Sequence, residues 1–282
     1  MTDLEGLENW KFSNRTNFDD IPIKFNEKEI IYLDYENPHK IKPQSNGINF
    51  FYMFSKCYSL LNLNALKNWD TSNINNIHGL FEHCISLKEL SGLENWNLLK
   101  IEDFSDVFNS CSSLTDLKAL QNWDVSNGND FSDMFYQCSS LSALNGLEKW
   151  NVSKATTFSG MFCNCTLLNL NALLNWDVSR VDKFKGMFYG CRLLSDIKGL
   201  QKWDVSNGEL FRGMFGNCFN LKDLSPLKNW DVSNGTDFRG MFSGCINLQN
   251  KALLSLVNWE ISRYNFKEMF SDYNPSSACI IY

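Results

Sequence analysis

Residues 131–157 read FSDMFYQCSSLSALNGLEKWNVSKATT, and variants of this unit recur along most of the 282-residue chain. Trp150 belongs to a series of tryptophans at positions 69, 96, 123, 150, 176, 203 and 230, which are 26 or 27 residues apart. Cysteines from Cys57 to Cys245 and phenylalanines from Phe54 to Phe242 keep the same spacing, and Phe270 follows 28 residues later. Three markers in one register indicate a protein built from repeats.

The start of each unit predicts a short helix. Asn129 and Asp130 precede it and can cap its free N–H groups. Four apolar side chains then follow at i, i+3, i+4 and i+7, a spacing that puts them on one helical face. In this unit they are Phe131, Met134, Phe135 and Cys138.

The middle of each unit is rich in leucine and predicts a strand of only a few residues, flanked by turns. Leu141, Leu144 and Leu147 are spaced by three, which differs from the period of two of a regular strand. The Asp-Val-Ser-Asn that follows several tryptophans predicts a turn, in which side chains such as those of Asp204 and Ser206 accept backbone N–H groups.

The repeat resembles the BspA-like leucine-rich repeat, also called the DUF285 family. Trp-Asp-Val-Ser-Asn and Met-Phe-x-x-Cys recur in the family's order, and the likeness covers residues 50–271 with a partial unit at 4–10. One unit alone buries too little apolar surface to offset the entropy of ordering its backbone, so the units must stack. We therefore predict an α/β solenoid, a leucine-rich-repeat-like right-handed stack of about nine 26–27-residue coils, each with a short strand and a short helix.

The repeat is interrupted near the N-terminus and stops near the C-terminus. We divide the chain into a partial first repeat (1–10), a non-repeat insert (11–49), the repeats (50–271) and a C-terminal cap (272–282). The insert has two interpretations: a cap over the first exposed edge, or a lobe that binds a partner. In the second interpretation Tyr32 and Tyr35 are candidate binding residues.

Charge is divided unevenly along the chain. The net charge is −6, with 11 basic and 20 acidic residues in 1–141 and 15 basic and 12 acidic residues in 142–282. One repeat position, just after the first phenylalanine, holds Lys185, Arg212, Arg239 and Lys267 in the last four units. In register, these four form a cationic column on the outer face of the predicted helices. The column is either a solvated stripe or a docking surface for an acidic partner or another copy of the chain.

Several classes of function are disfavoured. The acidic balance argues against broad nucleic-acid binding, and no run of 18 apolar residues is long enough to span a membrane. The three histidines and the sequence motifs offer no catalytic, metal or cofactor set, so we expect neither an enzyme nor a cofactor nor a small-molecule substrate. Cysteines stacked one per coil do not converge on a metal and predict buried free thiols.

Two roles follow as expectations. The first is a non-enzymatic protein–protein interaction scaffold, for example a structural component of a virion, which is intracellular or virion-associated because free thiols favour a reducing compartment and no signal peptide is seen. The alternative is a surface adhesin or host-interaction protein, which the family resemblance implies.

Overall fold

The computed structural model describes residues 48–271 and, by their backbone alone, Lys24–Phe25 and Glu29–Ile30. Strand β1 (Lys24–Phe25) pairs antiparallel with β2 (Glu29–Ile30). Strand β3 (Ile48–Asn49) pairs parallel with β4 (Ile74–Asn76). Helices α1 (Asn250–Leu253) and α2 (Arg263–Glu268) come at the end of the described part.

Short 3₁₀ turns make up the remaining helical structure. Six lie within the described residues: Asn64–Leu66, Lys118–Leu120, Asn171–Leu173, Lys198–Leu200, Ser225–Leu227 and Leu254–Leu256. No helix in this part of the chain is long and apolar enough to cross a membrane. The proposed segments 1–10 and 272–282, and the candidate residues Tyr32 and Tyr35, lie outside the described residues.

The units stack in parallel, one repeat apart. A series of parallel bridges joins each residue to its equivalent in the next coil. The bridges run from Asp103 to Asp130, from Asp130 to Thr157, and on through Lys183 and Leu210 to Asp237, so that six consecutive coils are linked. This is the repeat solenoid that the sequence predicts. Its right hand and its division into about nine coils stay predictions.

The predicted helix at the start of each unit is wrong for the units before α2. In residues 131–138, alternate N–H groups donate to the next coil: Phe131 to Thr157 O, Asp133 to Ser159 O, Phe135 to Met161 O and Gln137 to Cys163 O. The N–H groups of Met134, Tyr136 and Cys138 close tight turns three residues back, as Cys138 does to Phe135 O at 3.2 Å. A helix would keep all these bonds within one coil. Consecutive turns therefore place the four apolar side chains on one face, and an inter-coil ladder replaces the helix.

The predicted strand in the leucine-rich segment is also wrong in most units. Leu120 N–H donates to Leu117 O at 2.9 Å and Trp123 N–H to Leu120 O at 3.0 Å, which are bonds of the 3₁₀ type. The leucine spacing of three therefore reflects turns of three residues rather than a strand. A single isolated bridge, Asn169 to Asp196, joins this segment between two coils of the described part.

Aromatic rings stack in columns inside the solenoid. Phe108 and Phe135 lie 5.5 Å apart with nearly parallel rings, and Trp123 and Trp150 lie 6.5 Å apart. Each column tryptophan is at least 94% buried from Trp69 to Trp259, and the Trp123 Nε1–H donates to the Leu93 carbonyl of the preceding coil at 2.9 Å. The same face of every unit thus supplies one continuous core.

The cysteine column lies in this core, as the sequence predicts. Eight thiols, from Cys57 to Cys245 at one per coil, are free and buried. Each of those from Cys84 onward donates to a phenylalanine carbonyl of the preceding coil, for example Cys138 Sγ to Phe108 O at 3.2 Å. Burial raises the pKa of Cys57 to about 11 and that of Cys191 to about 12. Cys163 lies apart from the column, in a small cluster with Tyr136 and Tyr189.

Truncation of a column tryptophan should destabilise the whole stack. We expect Trp123→Ala to lower the free energy of unfolding by about 3–5 kcal/mol, because it removes a buried ring and the partner of a buried carbonyl. Chemical denaturation followed by circular dichroism measures this. The matched control is Leu99→Ala, whose side chain is 49% exposed and whose change should stay within about 0.5 kcal/mol. Equal effects would place Trp123 outside the core.

The column thiols should be unreactive in the folded protein. We expect iodoacetamide to leave the eight column cysteines unmodified in native buffer, since a buried thiol with a raised pKa is a poor nucleophile. The same residues should all react after denaturation, which serves as the control. Peptide mass mapping reads out each site, and alkylation of Cys138 in the native protein would contradict the packing described above.

Candidate interaction strip

Three positions around the first phenylalanine of each unit form a strip along one side of the stack. They are the residue before that phenylalanine and the two residues after it. We call this surface, over six consecutive coils, the charged strip; its members are Asp103, Ser105, Asp106, Asp130, Ser132, Asp133, Thr157, Ser159, Gly160, Lys183, Lys185, Gly186, Leu210, Arg212, Gly213, Asp237, Arg239 and Gly240.

The residue before the phenylalanine fixes the local turn. Asp130 Oδ1 accepts the Ser132 N–H at 2.8 Å, and Asp103 Oδ1 accepts the Ser105 N–H at 2.8 Å. This is the Asx-type bond that short polar side chains make to the backbone two residues on. The Asp-Val-Ser turn elsewhere in the unit uses the same bond, as at Asp204 with the Ser206 N–H at 3.0 Å, and confirms the turn predicted there.

The second residue after the phenylalanine has a left-handed backbone. Asp133 has a φ of 54° and Gly160, one coil further on, has a φ of 65°. Aspartate and glycine are among the residues that tolerate this region. A Cβ added at Gly160 would collide with the Asp133 carboxylate, so these two coils approach closely at this point.

The structure brings together three of the four predicted cationic residues. Gly186 N–H donates to Arg212 O at 2.9 Å and Gly213 N–H to Arg239 O at 3.0 Å, which places Lys185, Arg212 and Arg239 in consecutive coils. Lys185 and Arg212 are half-buried, and Arg239 is exposed.

The fourth residue, Lys267, is displaced from the column. It lies exposed on α2, and Gly240 N–H donates to Glu268 O rather than to the carbonyl of Lys267. In α2 the backbone N–H groups donate to carbonyls of the same helix instead of a neighbouring coil, so this segment does not keep the alternating ladder and its register is shifted. The column therefore sits on turns, not on a helical face as predicted, and its role in binding a partner stays a prediction.

Formal charge changes sign along the strip. The coil with Asp103 and Asp106 has a charge of −2, and so has the coil with Asp130 and Asp133. The next coil, 157–160, is neutral. Lys183 and Lys185 then give +2, Arg212 gives +1, and Asp237 with Arg239 gives zero. Sequence reasoning found the basic half and missed the acidic half, although both occupy the same repeat positions.

Carboxylates crowd each other in the acidic half. Burial, reinforced by the neighbouring charges of Asp106 and Asp130, raises the pKa of Asp133 to about 7, against a smaller opposing effect of Lys185. Burial also raises the pKa of Asp106, although the Asn109 Nδ2–H donates to it at 2.6 Å. With this pKa, Asp133 is about half ionised at neutral pH, so the coil with Asp130 and Asp133 has a charge between −1 and −2 there.

Cations crowd each other in the basic half in the same way. Burial and then the charge of Arg212 lower the pKa of Lys185, which Asp237 and Asp133 partly offset. Arg239 donates from Nε and Nη2 to the Asp237 carboxylate at 2.9 and 2.6 Å. Those hydrogen bonds outweigh burial and lower the pKa of Asp237.

A polar cluster around His78 closes the acidic end of the strip. Its Nδ1 lies 2.5 Å from Ser105 Oγ and 3.7 Å from Asp103, while its Nε2 lies 3.0 Å from Tyr52 Oη. Burial lowers the pKa of His78, but the hydrogen bond and charge of Asp103 outweigh it and raise the pKa.

This cluster does not have the geometry of a nucleophilic triad. Such a triad needs the serine at one ring nitrogen and the carboxylate at the other. Here Ser105 and Asp103 share the Nδ1 side, and the Ser105 hydroxyl donates to Asp103. At the other nitrogen, Nε2 is hydrogen-bonded to Tyr52 Oη at 3.0 Å, while the Asp106 carboxylate lies at 3.9 Å, beyond hydrogen-bond distance. No repeat pattern indicates the cluster, because only one unit carries a histidine at this position.

Other features of the described residues offer little chemistry. No group of three or more His, Cys, Asp or Glu side chains in this part of the chain is arranged to hold a metal ion. An open pocket of about 470 Å³ lies at the Trp-Asp-Val-Ser turn near the C-terminal end, away from the charged strip; it is lined by Lys228, Asn229, Trp230, Asp231, Val232, Ser233, Asn258 and Glu260.

The stacked coils and the continuous buried core identify this protein as a solenoid repeat protein, with the charged strip on its outer surface. Residues 48–173 and 158–279 match the family described as "Mycoplasma protein of unknown function, DUF285". These two stretches include most of the chain. The chain belongs to this family, as the resemblance of its repeat implies.

Two solved structures show limited similarity. A leucine-rich repeat protein from T. pallidum is 17% identical, with 77% of each chain covered and a TM-score of 0.35. A leucine-rich cell surface protein from Faecalibacterium prausnitzii is 15% identical, with 79% of this chain and 72% of that chain covered and a TM-score of 0.28. At these TM-scores neither structure carries an argument about this chain. No curated protein matches it.

Asp133 should make stability depend on pH. Its pKa of about 7 in the fold exceeds the ordinary value of 3.8, so the folded chain binds more protons than the unfolded chain between these values. Ionisation in the fold therefore lowers stability as pH rises from about 4 to 7. We expect Asp133→Asn to be nearly neutral at pH 4 and to stabilise by about 1–3 kcal/mol at pH 8.

Asp124→Asn is the matched control for this measurement. Asp124 is exposed and accepts the Ser126 N–H at 3.0 Å. Asparagine can make the same bond, because Asn151 at the equivalent position of the next unit accepts the Ser153 N–H. Denaturation curves at both pH values should show little change for this variant. A gain from Asp133→Asn that is the same at pH 4 and pH 8 would contradict the crowding of carboxylates.

Proposed function

We propose that this protein is a non-enzymatic protein-interaction module and that the charged strip is its binding surface. The observation that carries the proposal is the segregation of charge along the strip, with −2 and −2 in two coils and +2 and +1 in two others. Backbone hydrogen bonds between coils hold these side chains in register, so the binding surface is preorganised.

Comparison between the units supports a binding role for the strip. The core positions keep the same residue types from coil to coil, as in the tryptophan and cysteine columns. The position after the first phenylalanine instead changes from His78 through three serines to Lys185, Arg212 and Arg239. A constant frame with a varied outer surface is how solenoids present extended binding sites.

The basic half suits a protein partner with an acidic surface. Charge complementarity of this kind speeds association and selects partners more than it adds affinity, and it weakens with salt.

The adhesin-type role is retained as the setting for this module, and the virion role is set aside. The family resemblance of the repeat implies the adhesin-type role, and the matching family description names no virion component. The eight column thiols do not decide the compartment, because buried thiols are protected from oxidants wherever the protein resides. The intracellular location therefore loses its main support from the sequence.

Charge reversal in the basic half should abolish partner binding. We expect Lys185→Glu with Arg212→Glu to lose the cross-links that the wild-type protein forms in its native source and to weaken binding of the cross-linked partner at least about tenfold. Cross-linking mass spectrometry followed by affinity measurement with the purified partner tests this.

The matched control is Lys202→Glu with Lys228→Glu. These exposed lysines lie in the same two units as Lys185 and Arg212 but outside the strip, and the change in net charge is identical. Circular dichroism checks that all variants fold. Equal binding by the test pair and the control pair would overturn the assignment of the strip.

A further inference from the structure

The charges of the strip are arranged with opposite signs on either side of a neutral coil. The strip positions of that coil are Thr157, Ser159 and Gly160. One step to the N-terminal side lie Asp130 and Asp133, and one step to the C-terminal side lie Lys183 and Lys185. Two steps away, the coil with Asp103 and Asp106 corresponds to the coil with Arg212.

We propose that two copies of this chain pair antiparallel through the charged strip, about a two-fold axis at the neutral coil 157–160. The proposal deepens the proposed function and rests on it, since it names a second copy as one partner of the same surface. The axis places Asp130 and Asp133 of each copy opposite the other copy's Lys183 and Lys185. It also sets the coil with Asp103 and Asp106 against the other copy's Arg212.

Of the two arrangements that keep the neutral coils together, only the antiparallel one matches all four charged coils. Two copies running in the same direction in register would place −2 against −2 and +2 against +2, which is repulsive at every charged step. A two-fold contact uses the same patch on both copies and closes on itself, so it yields a dimer rather than a filament.

Several charged groups of the strip are accessible to a second copy. The side chains of Asp103 and Lys183 are 53% and 50% exposed, although Asp103 lies 3.7 Å from His78 Nδ1 and Lys183 Nζ lies 3.7 Å from Asp182 Oδ1. Asp106 is less accessible at 24%.

Burial is the main cause of the raised pKa of Asp106; Asn109 and His78 oppose it, and the charges of Glu82 and Asp103 add to it. A partner's cation would favour the ionised form of this carboxylate.

The size of the strip sets the expected affinity of the two copies for each other. Six coils at a spacing of about 4.8 Å span roughly 24 Å, and three positions per coil make the strip narrow. A contact of this size falls in the range of weak, transient complexes. We therefore expect a dimer that forms at high protein concentration and dissociates as salt screens the charges.

Sedimentation equilibrium of the full chain tests the dimer. We expect dimers at about 100 μM protein in about 50 mM NaCl and monomers in about 500 mM NaCl. Lys183→Glu with Lys185→Glu should weaken dimerisation at least about tenfold, while the control Lys202→Glu with Lys228→Glu should not. Asp106→Asn with Asp133→Asn should weaken it from the acidic side, and asparagine tolerates the left-handed backbone there.

Zero-length coupling of carboxylates to amines tests the orientation. In a mixture of isotope-labelled and unlabelled copies, we expect links between copies that join Asp130 to Lys183 and Asp133 to Lys185. A wild-type chain that stays monomeric in low salt overturns the proposal. So does a dimer that the strip variants leave unchanged, or coupling of the basic half to acidic residues of the same chain alone.

The outcomes separate the dimer from the function on which it rests. If the chain stays monomeric while Lys185→Glu with Arg212→Glu loses another protein partner, only the dimer fails. If the strip variants match the control in both assays, the strip is no binding surface and both proposals fail.

Discussion

The alternation of backbone hydrogen bonds between and within coils is the constraint on which the structure depends. Every second N–H in residues 131–137 donates to the next coil, and the others close turns within their own coil. No coil can satisfy its backbone alone, and each must meet its neighbour in one register. That register aligns every other column, from the stacked phenylalanines to the charged strip.

The repeat between Trp150 and Trp176 is 26 residues long, one shorter than the other repeats between Trp69 and Trp230. It shows where the hydrogen-bonding constraint is strict and where it is relaxed. Cys165 and Trp176 keep their places in the core, with Trp176 Nε1 donating to Leu147 O at 2.9 Å. The missing residue is absorbed just after Cys165, outside the ladder of alternating bonds. There Thr166 Oγ1 lies within 3.1 Å of the carbonyls of both Ser139 and Leu141, so its side chain helps to satisfy the shortened turn. At this step the change in length falls outside the ladder of alternating bonds, so the register of the ladder is kept.

Much of the core was predictable from the sequence because each column repeats one residue type. The burial of Trp123, the free thiol of Cys138 and the turn at Asp204 all follow from position in the unit. The predicted helix failed because the i, i+3, i+4, i+7 spacing also arises from consecutive tight turns. Residues suited to a left-handed backbone at positions such as Asp133 and Gly160 were the signal against a helix. The His78 cluster was not predictable, since it joins residues of three units that no repeat pattern links.

Charge segregation along the strip is not what stability of the solenoid alone would favour. The ladder holds equivalent side chains of neighbouring coils close together, so alternating signs would place opposite charges next to each other. Instead, burial and then the charges of Asp106 and Asp130 raise the pKa of Asp133, and burial and then the charge of Arg212 lower the pKa of Lys185. Both shifts mean that the charged forms are disfavoured in the isolated fold. Local departures from the most stable choice are expected at functional surfaces, which agrees with the binding role proposed for the strip.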